Sequence, residues 1–284
     1  MKIPKRIQPL IDDGLVDEVL RQLMSGKEAT VFMVRCGTQI RCAKVYKDVH
    51  KRSFKQAAQY QEGRKFRNSR QARAVKKRSR FGREQQEEGW QNAEVSALYR
   101  LADAGIRVPK AFGCFDGVLL MELITDADGQ VAPRLSDVNL SEEEALCQHA
   151  IMMDYVVRML CVGLVHGDLS EFNVLVDGQG PVIIDLPQAI DASINNQAKE
   201  LLERDINNIT AFYSIFAPSL SGRRFADELW KIYEDGKLHP GVLLKGEFEE
   251  SLCSPDVDGL IQEIETVIRE EDRRQDRLRE EKGD

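Results

Sequence analysis

Two aspartates and one asparagine carry the clearest chemistry in this sequence. Asp168 and Asn173 lie five residues apart, and Asp185 stands beyond two short apolar runs. The turn between those runs, 177–180, reads Asp-Gly-Gln-Gly, and Asp-Gly between apolar runs favours a β-hairpin. We expect the second strand of this hairpin to end on Asp185. Because a hairpin brings its two ends together, Asn173 and Asp185 should lie side by side with Asp168 close by.

This set of oxygen atoms suits phosphoryl transfer. Two carboxylates and an amide can hold Mg²⁺, which prefers oxygen ligands, and still leave one carboxylate to orient a hydroxyl. Catalysis of phosphoryl transfer consists mostly of such positioning and charge neutralisation. The alternative is a set of turn caps beside a buried hairpin, which is the commoner role of any one of these residues. Their combined spacing, with His166 two positions before Asp168, favours the catalytic interpretation.

A lysine and a glutamate upstream form a second candidate pair. Lys44 lies within an apolar strand, where an unpaired charge is costly, although a lysine on an edge strand can also face solvent. The spacing of apolar residues predicts a helix over 84–104, and Glu94 lies on its apolar face. Glu87 and Glu88 compete for the same role but lie near the start of the helix. We therefore expect Lys44 to pair with Glu94.

The remaining pattern predicts strands first and helices later. Strands are predicted over 19–24, 29–36, 40–46, 110–115 and 118–124, and helices over 141–163, 198–211, 226–233 and from 257 onwards. Ser141 and Glu144 have the spacing of a capping box. The loop after the first strand contains Ser25, Gly26 and Lys27, and a tight loop with available backbone amides can cover phosphates. By itself this loop is equally consistent with an ordinary hairpin.

The composition is that of an ordinary globular protein. The chain has 284 residues, of which 42% are hydrophobic and 31% charged, so it can bury a full core. No apolar run is long enough for a membrane span, and the first residues lack the apolar stretch of a signal peptide. The six cysteines form no Cys-x-x-Cys pair, and the four histidines show no metal-ligand spacing. We therefore expect a cytoplasmic protein with reduced thiols and no membrane partner.

The net charge of −7 conceals a strongly basic segment. The segment 47–83 contains fourteen Lys/Arg and two acidic residues, so it carries +12 and the remainder −19. Few large apolar residues accompany these charges, so we expect no packed core there. One interpretation is a solvated insertion without a partner. We favour contact with an anionic partner such as RNA or a ribonucleoprotein, although no nucleic-acid-binding motif accompanies the charge.

Together these motifs resemble the protein-kinase-like superfamily and, within it, the RIO family of atypical serine/threonine protein kinases. Three loops resemble the phosphate, catalytic and metal-binding loops of that family: Ser-Gly-Lys-Glu-Ala at 25–29, His-Gly-Asp-Leu-Ser-Glu-Phe-Asn at 166–173, and Ile-Asp-Leu-Pro-Gln-Ala at 184–189. Arg204-Asp205 resembles a nearby helix element of the family. The basic insertion before the Glu94 helix resembles the family's flexible loop but is longer.

The resemblance implies an α+β, two-lobed protein-kinase-like fold in a single RIO-type domain, 1–284. An N-lobe with a small antiparallel sheet would occupy 1–120 and include the basic insertion, a hinge would occupy 121–125, and a mainly helical C-lobe 126–284. The activation segment would be reduced, because Leu-Pro follows Asp185 where conventional protein kinases have Phe-Gly. The chain resembles the branch of the family without a winged-helix domain.

The resemblance also implies a catalytic role for each candidate residue, with ATP and Mg²⁺ as cofactors. Asp168 would orient the incoming hydroxyl and accept its proton. Asn173 and Asp185 would hold Mg²⁺, and Asp185 is also a candidate phosphate acceptor. Lys44 would bind the phosphates with Glu94 behind it.

The same resemblance assigns the nucleotide contacts. The phosphate loop would cover the nucleotide through Ser25, Gly26 and Lys27, and adenine would contact Met121 as gatekeeper, Glu122 and Ile124. The implied reaction is ATP-dependent phosphorylation of serine or threonine in an unidentified protein substrate, with autophosphorylation.

Two other functions are compatible with the same motifs. One is an ATPase that switches its binding to a ribosomal or other ribonucleoprotein particle. The other is a small-molecule phosphotransferase of the aminoglycoside type, which shares His-Gly-Asp and the hairpin. Such enzymes usually have an acidic substrate pocket and no basic insertion beside it.

Overall fold

The N-terminal part of the chain folds into a five-stranded antiparallel sheet. The computed structural model describes residues 4–26, 28–47 and 93–248. The strands are β1 (Glu18–Ser25), β2 (Ala29–Cys36), β3 (Gln39–Tyr46), β4 (Ala111–Phe115) and β5 (Val118–Glu122), in the spatial order β1-β2-β3-β5-β4. The predicted strands match these bounds within one residue, except that β5 ends two residues early. It ends there because the backbone oxygen of Ile124 accepts a hydrogen bond from Ala132 instead of continuing the sheet.

Each face of the sheet packs against a helix. The two helices are α1 (Gln8–Asp12) and α2, described over 93–103. On one face, Leu10 of α1 joins an apolar cluster with Ala43 and Val45 of β3. On the other face, Leu98 of α2 belongs to the main core. Because side chains alternate along a strand, Lys44 points to the α2 face.

The C-terminal part of the described chain is mainly helical. Its helices are α3 (Glu142–Cys161), α4 (Ala198–Ser214) and α5 (Phe225–Glu234), with 3₁₀ turns at Leu135–Asp137, Glu171–Asn173 and Pro218–Leu220. The predicted capping box at the start of α3 is confirmed. The Ser141 hydroxyl accepts a hydrogen bond from Glu144 N, and the Glu144 carboxylate accepts one from Ser141 N at 2.8 Å. The apolar faces of α3 and α4 share one core with α2.

The predicted hairpin follows Asn173. It consists of β7 (Val174–Asp177) and β8 (Gly180–Ile183), and it lies between the short paired strands β6 (Leu164–Val165) and β9 (Ile190–Asp191) in the chain. Asp177 pairs with Gly180, which confirms the tight turn. The second strand ends at Ile183 and not, as predicted, at Asp185. Asp185 adopts a φ of 66°, in the left-handed region, which is incompatible with a strand.

Several expectations lie outside the described residues. These are the role of Lys27, the basic segment beyond Lys47, the start of the helix predicted from 84, the thiol of Cys253 and the helix predicted from 257. Contacts divide the chain into one unit, Met1–Glu247, and a second, Phe248–Asp284, of which only Phe248 is described. The division of 1–284 into lobes and hinge stays a prediction.

The five cysteines within the described ranges are free thiols. None of the described helices is long and apolar enough to cross a membrane.

Candidate active site

Lys44 connects the sheet to both α2 and the end of the hairpin. Its Nζ lies 2.7 Å from Glu94 Oε1 and 2.5 Å from Asp185 Oδ1. Lys44 and Glu94 are buried, whereas the side chain of Asp185 is 44% exposed. Tyr46, on the same face of β3, donates a hydrogen bond to Glu94 Oε2. Two side chains of one strand therefore hold the Glu94 carboxylate, and the sequence analysis did not single out Tyr46.

The charges of this cluster stabilise one another. Burial disfavours the positive charge of Lys44, but Asp185 and Glu94 outweigh burial and raise the pKa of Lys44 above its ordinary value. Protein atoms packed around Asp185 disfavour its negative charge, but Lys44, with help from His166 and Arg134, brings the pKa of Asp185 below its ordinary value. Lys44 and Asp185 are therefore both charged at neutral pH.

Asp168 and Asn173 lie together in the loop before the hairpin. Asn173 Nδ2 donates a hydrogen bond to the backbone oxygen of Asp168 at 2.7 Å, and the Asp168 N–H donates to His166 Nδ1 at 3.3 Å. Partial desolvation raises the pKa of Asp168 above its ordinary value, and the negative charge of Asp185 adds to the rise, whereas His166 and Arg204 oppose it. A raised pKa suits a carboxylate that has to accept a proton.

Asp205 on α4 holds this loop from the core side, although the sequence analysis assigned it no role. Its carboxylate accepts hydrogen bonds from Gly167 N at 2.7 Å and Leu169 N at 2.9 Å, so it holds the N–H groups of the two residues that flank Asp168. Burial raises the pKa of Asp205 to about 6 against the opposing effect of nearby positive charge and these two N–H groups. The sequence did contain a sign of this role. Asp205 is a charged residue beside Ile206 on the mostly apolar, buried face of an amphipathic helix.

A cavity of about 310 Å³ lies between the sheet and the helical part. It is lined by most of the predicted site residues, namely Lys44, Glu94, Met121, Glu122, Ile124, Asn173 and Asp185. Asp168 is not among the lining residues. Leu23, Val31 and Leu175 contribute apolar walls, which suit a flat aromatic ring. Glu122 also accepts a hydrogen bond from Lys110 N at 3.1 Å through its carboxylate.

The loop between β1 and β2 contains the other predicted nucleotide-binding residues. Gly26 N donates to Ala29 O at 2.9 Å and closes the turn. Lys47, at the end of β3, donates from Nζ to Gly26 O at 2.5 Å and to Ser25 Oγ at 3.2 Å. Lys27 lies outside the described residues, so its position relative to the cavity stays a prediction.

A further contact joins the loop between β1 and β2 to the loop after Asp185. Gln188 is buried, and its Nε2 donates a hydrogen bond to Glu28 Oε1 at 3.3 Å. Both residues belong to the motifs that carry the family resemblance, but the sequence did not predict that they touch. Together with Lys44 and Asp185, they connect the sheet to the segment that follows the hairpin.

The oxygen atoms of the site fit Mg²⁺. The Asp185 carboxylate and the Asn173 amide line the same cavity, and both supply the oxygen ligands that this ion prefers. Over 4–26, 28–47 and 93–248, no three side chains of His, Cys, Asp or Glu cluster as a metal site. The candidate set for Mg²⁺ accordingly has one carboxylate and one amide.

A small antiparallel sheet joined to a helical part, with a cleft between them, is the architecture of the protein-kinase-like fold. A family model described as the RIO domain matches residues 30–223, more than half of the chain. The chain therefore belongs to the RIO family, as the sequence motifs predicted, and is a RIO-type serine/threonine protein kinase.

Curated relatives carry the same family name. The chain is 33% identical over 209 residues to the RIO-type serine/threonine-protein kinase Rio1 of Haloferax volcanii, a match that covers 73% of this chain and 67% of the relative. It is 31% identical over 207 residues to the serine/threonine-protein kinase RIO1 of Homo sapiens, covering 72% of this chain. The match spans only 34% of the human protein's length.

Solved structures of a Rio2 kinase from Chaetomium thermophilum share the fold. One matches with a TM-score of 0.59 and 18% identity, covering 94% of this chain and 77% of the other. A second, an ADP/Mg²⁺-phosphoaspartate complex, matches with a TM-score of 0.57 and 19% identity, covering 81% and 70%. The predicted α+β, two-lobed kinase-like fold is thus confirmed.

Proposed function

We propose that this chain transfers the terminal phosphate of Mg-ATP to serine or threonine residues of proteins, including its own. The observation that carries the proposal is the position of Lys44 Nζ between Glu94 Oε1 and Asp185 Oδ1 in the wall of a cavity that extends to Met121. A buried cation held by two carboxylates beside an apolar cavity suits a ligand with an aromatic ring and phosphates.

Each residue of the site has a physical task in this reaction. Lys44, kept charged by Glu94, binds phosphate oxygens. Asn173 and Asp185 supply oxygen ligands to Mg²⁺, which neutralises phosphate charge when bound. Asp168 orients the hydroxyl of the substrate and accepts its proton. The nucleotide contacts are assigned to Ser25, Gly26, Lys27, Met121, Glu122 and Ile124.

Asp168→Asn tests this proposal. We expect full-length protein with labelled Mg-ATP to label itself and an added protein substrate, and the variant to lose label transfer by roughly 100-fold or more, because no base remains. Nucleotide affinity, measured by calorimetry, should stay close to that of the wild type. Asp235→Asn, at an exposed position directly after α5, is the control and should transfer label normally. Transfer that persists in Asp168→Asn contradicts Asp168 as the base.

The same assay separates the other two functions. An ATPase switch would release phosphate from ATP without labelling protein. A small-molecule phosphotransferase would modify aminoglycosides or sugars faster than any protein. Either result would replace protein phosphorylation as the main activity.

We also propose that the basic segment 47–83 binds an anionic partner such as RNA or a ribonucleoprotein. The support is its charge of +12 within a chain of net charge −7. Binding through such charges releases counterions, so it should weaken steeply as salt increases.

A further inference from the structure

The backbone of Arg134 is held against the hairpin, in the connection between β5 and α3. Arg134 forms an isolated antiparallel bridge with Leu175 of β7, and Val176 N donates a hydrogen bond to Pro133 O at 2.9 Å. Arg134 and Leu175 both line the 310 Å³ cavity. The position of Arg134 is therefore set by the strand that begins directly after Asn173.

The guanidinium group of Arg134 has a weak partner. Its Nη2 contacts the sulfur atom of Met24, at the end of β1, across the cavity. A thioether is a poor hydrogen-bond acceptor, whereas a guanidinium group has five N–H donors. Asp137 and Asp185 line the same cavity, yet Arg134 forms an ion pair with neither within the described ranges, and Asp185 Oδ1 lies against Lys44. Most donors of Arg134 are thus available to a ligand.

Available guanidinium donors in a cavity indicate an anionic ligand. The planar guanidinium group of arginine can donate to two oxygens of one phosphate group at once. A thioether sulfur offers no such pair of acceptors. We propose that Arg134 binds a phosphate group of the bound nucleoside di- or triphosphate, as a second cation besides Lys44. This inference rests on the proposed function.

An acidic side chain of a protein substrate would offer Arg134 similar oxygens. The nucleotide is favoured because Arg134 lies between Met24 of the sheet and Leu175 of the hairpin, within the cavity that Met121 and Ile124 also line. A protein substrate has to reach the terminal phosphate from outside this cavity. The contact with Met24 is then exchanged for stronger, charge-assisted hydrogen bonds when nucleotide binds.

Calorimetric titration of the full-length protein with Mg-ATP, Mg-ADP and adenosine tests the proposal. We expect Arg134→Met to weaken ATP and ADP binding roughly tenfold, because charge-assisted hydrogen bonds are lost, and to leave adenosine binding within about twofold. Arg134→Lys keeps the positive charge but loses the planar guanidinium group. Its affinity for ATP and ADP should lie between those of the wild type and Arg134→Met. Arg224→Met, whose arginine pairs with Asp227 on the surface, is the matched control. Thermal unfolding confirms that each variant is folded.

The outcomes separate this inference from the proposed function. Equal affinity of the wild type and Arg134→Met for ATP and ADP overturns the role of Arg134 and leaves the kinase proposal intact. Unchanged nucleotide affinity with a raised KM for a protein substrate also overturns it, and assigns Arg134 to substrate recognition. A wild-type protein that binds no nucleotide overturns the proposed function itself.

Discussion

The carboxylate of Asp205 shows how one buried side chain controls the candidate catalytic loop. It lies on α4, yet its two oxygens accept hydrogen bonds from the backbone of Gly167 and Leu169, which flank Asp168. Arg204 donates a hydrogen bond to Gly167 O, so two consecutive residues of the helix bind one loop. Because peptide groups cannot shift without breaking these bonds, the backbone position of Asp168 depends on α4.

Asp205 should make stability depend on pH. Its pKa rises to about 6 in the folded protein from 3.8, so the folded state binds more protons between these values. Its contribution to stability is therefore fully present below about pH 4 and lost as pH rises through about 6. Relative to Asp205→Asn, which does not titrate, the wild type should lose on the order of 2–3 kcal/mol of unfolding free energy between pH 4 and 7.

Urea unfolding of both proteins at several pH values checks this prediction. Subtracting the two curves removes the effect of the other carboxylates, which titrate in both proteins. A difference between wild type and Asp205→Asn that stays constant from pH 4 to 7 would contradict a raised pKa.

At the scale of elements, the hairpin is held at both ends. Lys44 binds Asp185 after its second strand, and Arg107, in the connection after α2, binds its turn. Arg107 Nη1 lies 2.9 Å from Asp177 Oδ1 and Nη2 lies 2.5 Å from Oδ2, while Nη1 also donates to Gly180 O at 3.1 Å. This bidentate pair lowers the pKa of Asp177. The hairpin that connects Asn173 to Asp185 is therefore attached at its turn to the segment that follows α2.

A double-mutant cycle of Arg107→Met and Asp177→Asn tests the strength of this attachment. We expect a coupling free energy of roughly 1–3 kcal/mol in urea unfolding, because the pair is bidentate and half-buried. The pair Lys231–Asp235 at the exposed end of α5 is the control and should show about 0.5 kcal/mol or less. Equal coupling in the two cycles would show that the Arg107 pair has no special structural role.

On the scale of the whole molecule, polar contacts between described residues connect the sheet with the helical part beside the cleft. One joins Lys44 to Asp185, another joins Glu28 to Gln188, and a third joins Met24 to Arg134. The covalent connection runs through the segment predicted as the hinge, which lines the cavity at Met121. The basic segment 47–83 lies almost wholly outside the described residues. Its charge is what sets it apart from an otherwise acidic protein.

Deletion of 53–79 tests the role of that charge. The deletion removes nine Lys/Arg and one acidic residue, so cosedimentation with RNA or ribosomal particles should weaken strongly at low salt. Nucleotide affinity should not change, since every candidate nucleotide-binding residue lies outside the deleted segment. A variant of full length with the nine basic residues changed to Gln is the matched control for loop length. Cosedimentation unaffected by either change would remove the reason for assigning this segment an anionic partner.

The sequence alone determined the elements and the family. Strand alternation, helical periodicity, the capping box and the Asp-Gly turn are local properties, so β1 to β5, α3 and the hairpin could be predicted closely. The motifs around Asp168 and Asp185 are likewise short, contiguous stretches of sequence, so they sufficed to predict a RIO-type kinase.

Only the tertiary structure decided which side chains meet. Lys44 reaches Glu94 across fifty residues of sequence and Asp185 across 141, and no local pattern encodes such contacts. Other features likewise depend on packing between distant segments. These are the positive φ of Asp185, the hydrogen bonds that Asp205 accepts from the candidate catalytic loop, and the contact of Arg134 with Met24. Local preferences determine each element. The geometry of the site forms only when separate elements bury their apolar faces in one shared core and so bring distant side chains into contact.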